Sequence, residues 1–312
     1  SKKIEGLKDI VQISCGYMET IALASDGTVY QFDNFAYSKK FRILELQEIK
    51  QISAGANHFA AIDKYGQLWS WGNNVCGELG NGTFESNIVP EKIDFNDVKE
   101  VKCSTCFTVA LKHDGTVWSW GDNKNGQLGH SDNSSINIPV IVPIEKRVEK
   151  MGVGKYHVVV LDEGGRLWGF GSNKSWRLCS EKDYSGGEPL EIIICTDDIK
   201  DISCGDDSSF ALDTNGDVFL WGYIEPGYGS IKPKLIFRDE EISDISAGMH
   251  TAYFLKHDGT LWRLKYSKGF RNHLIDVLDL GLFIFLFAII LLIIIVVIKL
   301  IIKARKRTKK IE

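Results

Sequence analysis

Three groups of side chains in this 312-residue sequence are of the types that chemistry uses. Cys103-Ser-Thr-Cys106 is a C-x-x-C, the spacing of a redox pair or of half a zinc site. His58, His157 and His250 each stand two or three residues after a small-residue cluster, so a fold that repeats the cluster would ring one face with imidazoles. Asp206 and Asp207 occupy the equivalent place in another copy and could offer carboxylates to a cation. Each group is incomplete. The C-x-x-C has no second C-x-x-C or His pair beside it, and Cys103 falls in a slot that other copies fill with small apolar residues. The paired aspartates lack the spaced oxygen ligands of a calcium loop. No nucleophile, base and orienting group can be assembled, and hydrolase, kinase, P-loop and zincin motifs do not occur. No metal, no cofactor and no catalytic residue is expected, and the protein reads as a non-enzyme.

These residues belong to a unit that occurs six times. A small-residue cluster ends at an anchor position, and a glycine follows eleven residues later: Gly16 with Gly27, Gly55 with Gly66, Ser104 with Gly115, Gly154 with Gly165, Gly205 with Gly216, and Gly248 with Gly259. Fourteen residues after each anchor stands an aromatic (Tyr30, Trp69, Trp118, Trp168, Phe219, Trp262), and two residues further Phe32, Trp71, Trp120, Phe170 and Trp221, with Leu264 the exception. Side chains two apart on a strand share a face, so the aromatic pairs are expected in the core. Asp26-Gly27, Asp114-Gly115, Asn215-Gly216, Asp258-Gly259 and Gly164-Gly165 are tight-turn signals and Tyr65-Gly66 is a weak one, which makes each copy a β-hairpin. Gly77-Glu-Leu-Gly80 and Gly126-Gln-Leu-Gly129 follow in the next loops, and Pro90, Pro139, Pro189 and Pro233 mark an outer strand.

About four short strands per copy, with anchors 39 to 51 residues apart, fit the blade of a β-propeller. Such sheets bury both faces only by stacking on one another. The fold class is therefore all-β: six visible blades, or seven in a longer polypeptide. The last copy ends after Leu264 without an outer strand, and Lys3-Ile-Glu-Gly-Leu7 lies where a strand completing it would be expected.

The small-Gly anchor, His, Asp-Gly turn, Trp-x-Trp-Gly and Gly-Gln-Leu-Gly, clearest at Ser53 to Gly80 and Lys102 to Gly129, resemble the regulator of chromosome condensation repeat family over residues 3 to about 268. The resemblance implies a propeller, seven-bladed in the founding member. It does not select an activity, since the family includes a nuclear exchange factor for a small GTPase and a secreted inhibitor of β-lactamase. The exchange factor's protruding wedge has no matching insertion here, so none of its catalytic residues is carried over.

From Leu280 to Ile298 no side chain is charged or polar, and the apolar run continues past Lys299 to Ile302, long enough to span a bilayer as a helix. The domain reading is a propeller over 1–268, a linker over 269–279, a transmembrane helix over 280–302 contacting membrane lipid, and a basic tail over 303–312. The last fourteen residues hold seven Lys/Arg and one Glu, which leaves residues 1–298 at −10 against an overall −4. The positive tail is expected in the cytoplasm and the propeller outside, a topology that calls for an export signal ahead of residue 1. The acidic body argues against nucleic acid as a partner. Asn81, Asn133 and Asn173 begin acceptor triplets for glycosylation. The expected function is a membrane-anchored propeller that binds a protein or large ligand through the loops after the anchors: Tyr17, Met18, Asn57, His58, Phe107, Tyr156, His157, Asp206, Asp207, Met249 and His250. The alternative is an exchange factor for a small GTPase on the cytosolic side of a membrane.

Overall fold

The computed structural model describes residues 4, 6–33, 41–180, 188–192, 198–225, 228–238, 241–248 and 251–265. The expected linker, membrane helix and basic tail lie outside these residues. Among the described residues no helix is long and apolar enough to cross a membrane. They form twenty-three strands in six sheets, with one turn of 3-10 helix at Lys174–Trp176. The first five sheets have four strands in meander order and the sixth has three. Residues 1–265 make one compact unit.

The second sheet shows how a copy folds. Its innermost strand Ile49–Ala54 pairs antiparallel with His58–Asp63, which pairs with Leu68–Gly72, and Asn87–Lys92 lies outermost. The turn at Tyr65-Gly66, weak by its dipeptide, is held from a distance. The Asp63 carboxylate accepts the N–H groups of Tyr65 and Gln67 (2.9 and 3.1 Å) while Gly66 takes φ +79°. Asp162 and Asp213 do the same in the fourth and fifth sheets. In the first, third and sixth sheets the acid sits inside the turn, and Asp26, Asp114 and Asp258 accept the N–H of Thr28, Thr116 and Thr260. One turn geometry therefore has two side-chain solutions.

Each aromatic pair divides its labour. The first ring of the pair points its indole N–H at its own turn: Trp69 to Asp63, Trp118 to Thr116 and Trp168 to Asp162. The second reaches the preceding sheet, Trp71 to the Gln31 amide oxygen, Trp120 to the Glu78 carbonyl and Trp221 to the Arg177 carbonyl, at 2.9–3.0 Å. Trp71, Trp120, Phe170 and Trp221 are fully buried, whereas Trp69, Trp118 and Trp168 are half-buried.

Every joint between adjoining sheets uses the same positions. The forward face of one sheet presents the residues five, seven and thirteen after its anchor, as Ala60, Ile62 and Leu68 do in the second sheet. The rear face of the next presents those six and three before its own anchor, here Val98 and Val101, with Ala110 and Trp120. Each Ile, Leu or Val side chain so withdrawn from water contributes about 2 kcal/mol. At the inner edge the backbones nearly touch. A Cβ on Gly16 would lie 2.6 Å from the Gly55 carbonyl oxygen, one on Gly55 2.2 Å from that of Ser104, one on Gly154 2.5 Å from that of Gly205, and one on Gly205 2.4 Å from that of Gly248. The anchors are glycine because of this approach, since none of the four has a positive φ. Ser104, the exception, donates its hydroxyl to the Gly154 carbonyl at 2.7 Å.

The expected completion of the sixth sheet by the N-terminal segment is not found among the described residues. Ile4, Gly6 and Leu7 are outside any strand, and Lys3 and Glu5 lie outside the described residues.

Gly55→Ala should cost about 3 kcal/mol of unfolding free energy, because its Cβ would meet the Ser104 carbonyl, which is rigid backbone, and the buried His58 ring. Gly259→Ala, at φ +82° with nothing within 4 Å, should cost about 1 kcal/mol, from the left-handed conformation alone. Urea titrations followed by tryptophan fluorescence compare the two, and equal costs would refute the close-approach account.

Candidate functional site

In the first five sheets the chain turns through three residues beyond the inner strand before the second strand begins. These loops line one end of the sheets together with the loops after the aromatic pairs. Within a copy the two are tied by backbone bonds: Asn73 N–H to Asn57 O, Asp122 to Cys106, Ser172 to Tyr156 and Tyr223 to Asp207, at 2.8–2.9 Å. Between copies, Tyr17 N–H donates to Ala56 O and Ala56 N–H to Ser104 O. The candidate residues thus stand on a continuous hydrogen-bonded frame.

They separate into two groups. Tyr17 is 70% exposed and Met18 47%; Asn57 is exposed, and Tyr156, Asp206 and Asp207 are half-buried. His58, Phe107 and His157 are at most 1% exposed, which takes these three out of reach of a ligand on this face. Phe107 belongs to the apolar core between the third and fourth sheets. Met249 and His250 lie outside the described residues.

The two buried histidines are inter-sheet connectors. His58 Nε2 is 2.9 Å from Thr108 Oγ1 of the third sheet, and that hydroxyl donates to the Glu78 carbonyl at 2.9 Å. With the hydroxyl proton committed there, the ring must supply Nε2–H, which leaves Nδ1 as a bare, buried acceptor. His157 repeats the arrangement with Ser209 Oγ (2.8 Å), whose hydroxyl reaches the Arg177 carbonyl at 3.3 Å. Burial pushes the pKa of both rings down to about 3, helped at His157 by the Arg177 charge. Protonation would place an unpaired N–H in the interior.

Sequence reasoning passed over a recurrent asparagine nineteen residues after the anchor. Asn74, Asn123 and Asn173 are buried. Their side-chain oxygens accept Leu79, Leu128 and Leu178 N–H at 2.9 Å, and their amides donate to Thr83, Asp132 and Ser180 carbonyls. The recurrence five residues ahead of the loop leucine was the available signal. Asn173 so engaged cannot accept a glycan, whereas Asn133 is exposed.

One residue before that leucine the copies differ. Glu78 is buried, taking the Asn73 amide and Cys76 N–H; Gln127 bridges Asp122 and Asn125 N–H; Arg177 pairs with Asp207 and Ser172 and lies 5.6 Å over the Tyr156 ring. Arg177 therefore draws together Tyr156 and Asp207, two residues far apart in sequence. In the C-x-x-C, burial pushes the thiols of Cys103 and Cys106 up to about 12, so neither ionises readily near neutral pH. Among the described residues no three His, Cys, Asp or Glu converge as metal ligands. A cleft of about 440 Å³ lies between the loop residues Gly80, Asn81 and Gly82 and the side chains of Phe95, Lys112, Trp118, Ile138 and Pro139.

A family model described as the RCC1-like domain matches residues 33–264. The chain belongs to the RCC1-like domain family. Within it, the chain is similar to the Arabidopsis thaliana ultraviolet-B receptor UVR8, 26% identical over 292 residues, which is 83% of this chain and 54% of that protein. It thus spans little more than half of that relative. Of solved structures, human WBSCR16 aligns with a TM-score of 0.74 at 21% identity, over 82% of this chain and 76% of the other. Saccharomyces cerevisiae Prp20p, described with its binding properties to Gsp1p and histones, aligns with a TM-score of 0.68 at 21% identity, over 86% and 72%. Both share the fold of this chain.

The buried histidines make stability depend on pH. Their folded pKa of about 3 lies below the ordinary 6.5 of the unfolded chain, so unfolding takes up protons in that interval. Their contribution is whole above pH 6.5 and is lost as the pH falls toward 3. The urea midpoint is expected to fall from pH 7 to pH 5, and in the double variant His58→Gln, His157→Gln it should start lower but fall less. Parallel pH dependences would contradict the assignment.

Proposed function

We propose that this RCC1-like propeller is a non-catalytic binding module, held to a membrane by the 280–302 segment, that takes a protein or large ligand on the face formed by the post-anchor loops. The observation that carries the reading is the contrast within one register. Positions after the anchors hold large exposed side chains (Tyr17, Met18) in one copy and half-buried polar or aromatic ones (Tyr156, Asp206, Asp207) in others, all on one hydrogen-bonded frame. A rigid ring with variable loops can present a wide surface without an ordering cost at each loop. Aromatic, Met and Arg side chains are the usual anchors of such surfaces.

Membrane attachment is supported by the uninterrupted apolar run and the Lys/Arg cluster that follows it. With that cluster in the cytoplasm, the propeller faces outward. The −10 of residues 1–298 disfavours nucleic acid. A second reading, exchange factor for a small GTPase on the cytosolic side of a membrane, draws on the family resemblance and on the likeness to Prp20p with its Gsp1p binding.

A photo-crosslinking residue placed at Tyr17 in the membrane-bound protein is expected to form discrete adducts. One at Tyr65, which is 73% exposed in a hairpin turn, should form none. Adducts from Tyr65 alone would move the binding face to the turn end. Protease added to intact cells should digest the propeller; protection, together with accelerated GDP release from a small GTPase by the purified chain, would replace the first reading with the second.

A further inference from the structure

The loop that follows an aromatic pair meets the post-anchor loop of the next sheet, and the copies fill this meeting place differently. Between the fourth and fifth sheets it holds Arg177 and Asp207, joined as an ion pair. Between the second and third it holds two cysteines. Cys76 stands just ahead of Gly77 in the loop of the second sheet, and Cys106 stands two residues after the Ser104 anchor, the register of Met18, Asn57, Tyr156 and Asp207. Both are half-buried. Their side chains are hydrogen-bonding neighbours, and both lie in the field of the Glu78 and Asp122 carboxylates.

The backbone holds each cysteine where it is. Cys76 N–H donates to the Glu78 carboxylate at 2.7 Å, and the Glu78 carbonyl is gripped in turn by the Thr108 hydroxyl and the Trp120 indole N–H of the third sheet, both at 2.9 Å. On the other side the Cys106 carbonyl accepts the Asp122 N–H at 2.8 Å. The two thiols are thus brought together by bonds that involve neither sulfur. The C-x-x-C spacing suggests a different partner for Cys106, yet Cys103 keeps its sulfur inside the joint, bonded to Thr108 and Ser53. The neighbour of Cys106 is thirty positions away in sequence.

We infer that Cys76 and Cys106 are the sites of an oxidative modification, a disulfide that staples the second sheet to the third at the candidate binding face. The oxidant is a low-molecular-weight disulfide such as glutathione disulfide. Cys76 gives up its proton to solvent, and its thiolate attacks one sulfur of the oxidant, forming a mixed disulfide and expelling one glutathione thiolate. The Cys106 thiolate, its proton also released, then attacks the Cys76 sulfur and expels the second. Two electrons pass from the cysteines to glutathione, and the two protons go to the two glutathione thiols formed. Burial first, and then the neighbouring acids, raise both protein thiols, Cys106 to about 12 and Cys76 less far. The staple therefore forms slowly at neutral pH and faster as the pH rises. Once formed it resists reduction, because its acidic surroundings disfavour the thiolate that reduction must release.

The test uses the purified full chain, incubated with reduced and oxidised glutathione at mildly alkaline pH, alkylated with iodoacetamide, and mapped by mass spectrometry without reduction. One peptide pair joining Cys76 to Cys106 is expected, lighter by two hydrogens than the free peptides and persisting with reduced glutathione in about tenfold excess. Cys103→Ala should leave the link intact, and Cys76→Ser should abolish it. The oxidised chain should melt about 6 °C above the reduced chain. That difference should vanish in Cys76→Ser and in Cys106→Ser, whereas a merely structural effect of either substitution would lower both midpoints alike. Alkylation of both cysteines after oxidation, glutathione on each without a link, or a link from Cys106 to Cys103 would overturn the inference. A link that left the midpoint unmoved would refute the staple. None of these readouts depends on a bound partner or on the side of the membrane, so failure here is distinct from failure of the proposed function.

Discussion

A carbonyl oxygen that leaves no room for a methyl group governs this molecule. Where Gly55 meets the Ser104 carbonyl and Gly154 meets that of Gly205, the inner strands of adjoining sheets come close enough that only hydrogen fits between them. That proximity lets Ser14 and Ser53 reach the next backbone amide, and it brings the apolar faces into contact. Move the anchors apart by one methyl and the aliphatic layer opens with them. The tryptophans of the second aromatic position extend the same contact outward, each spanning the joint to an acceptor in the preceding sheet.

The face above the anchors inherits its order from this packing. Glu78 and Arg177 share one register and differ in charge, yet their carbonyls do the same work, each accepting an indole N–H and a hydroxyl from the next sheet. Backbone holds the frame while side chains at the same position are free to change sign. Binding surfaces are built to advantage on such a separation, because a change in recognition does not require a change in support.

How much of this was legible in the sequence depended on whether the physics was local. The Asp-Gly turns and the six anchors read correctly, since the turns are set by local conformational preference and the anchors recur at a fixed offset from them. Of the aromatic pairs expected in the core, Trp71, Trp120, Phe170, Phe219 and Trp221 are buried, whereas Trp69, Trp118 and Trp168 are half-buried and Trp262 is exposed. Tyr65-Gly66 looked weak because the residue that holds it, Asp63, lies three positions ahead of the glycine. His58 and His157 stood in the right loops, yet their rings turn inward to hydroxyls some fifty residues away. That is a contact between copies, which no pattern within one copy contains. The Arg177, Tyr156 and Asp207 cluster was hidden for the same reason. The completing N-terminal strand was inferred from position alone, with no pairing partner that sequence could specify.

Three of the joints have a donor side and an acceptor side, with a serine oxygen facing forward to an amide of the following sheet, and all repeat the same order of apolar forward and rear positions. A series with such polarity can lengthen or shorten only by whole units, as a toothed belt does, because any fraction would leave teeth against teeth. Variation in size is then confined to the margins of a unit, which is where the 39- to 51-residue spread between anchors accumulates.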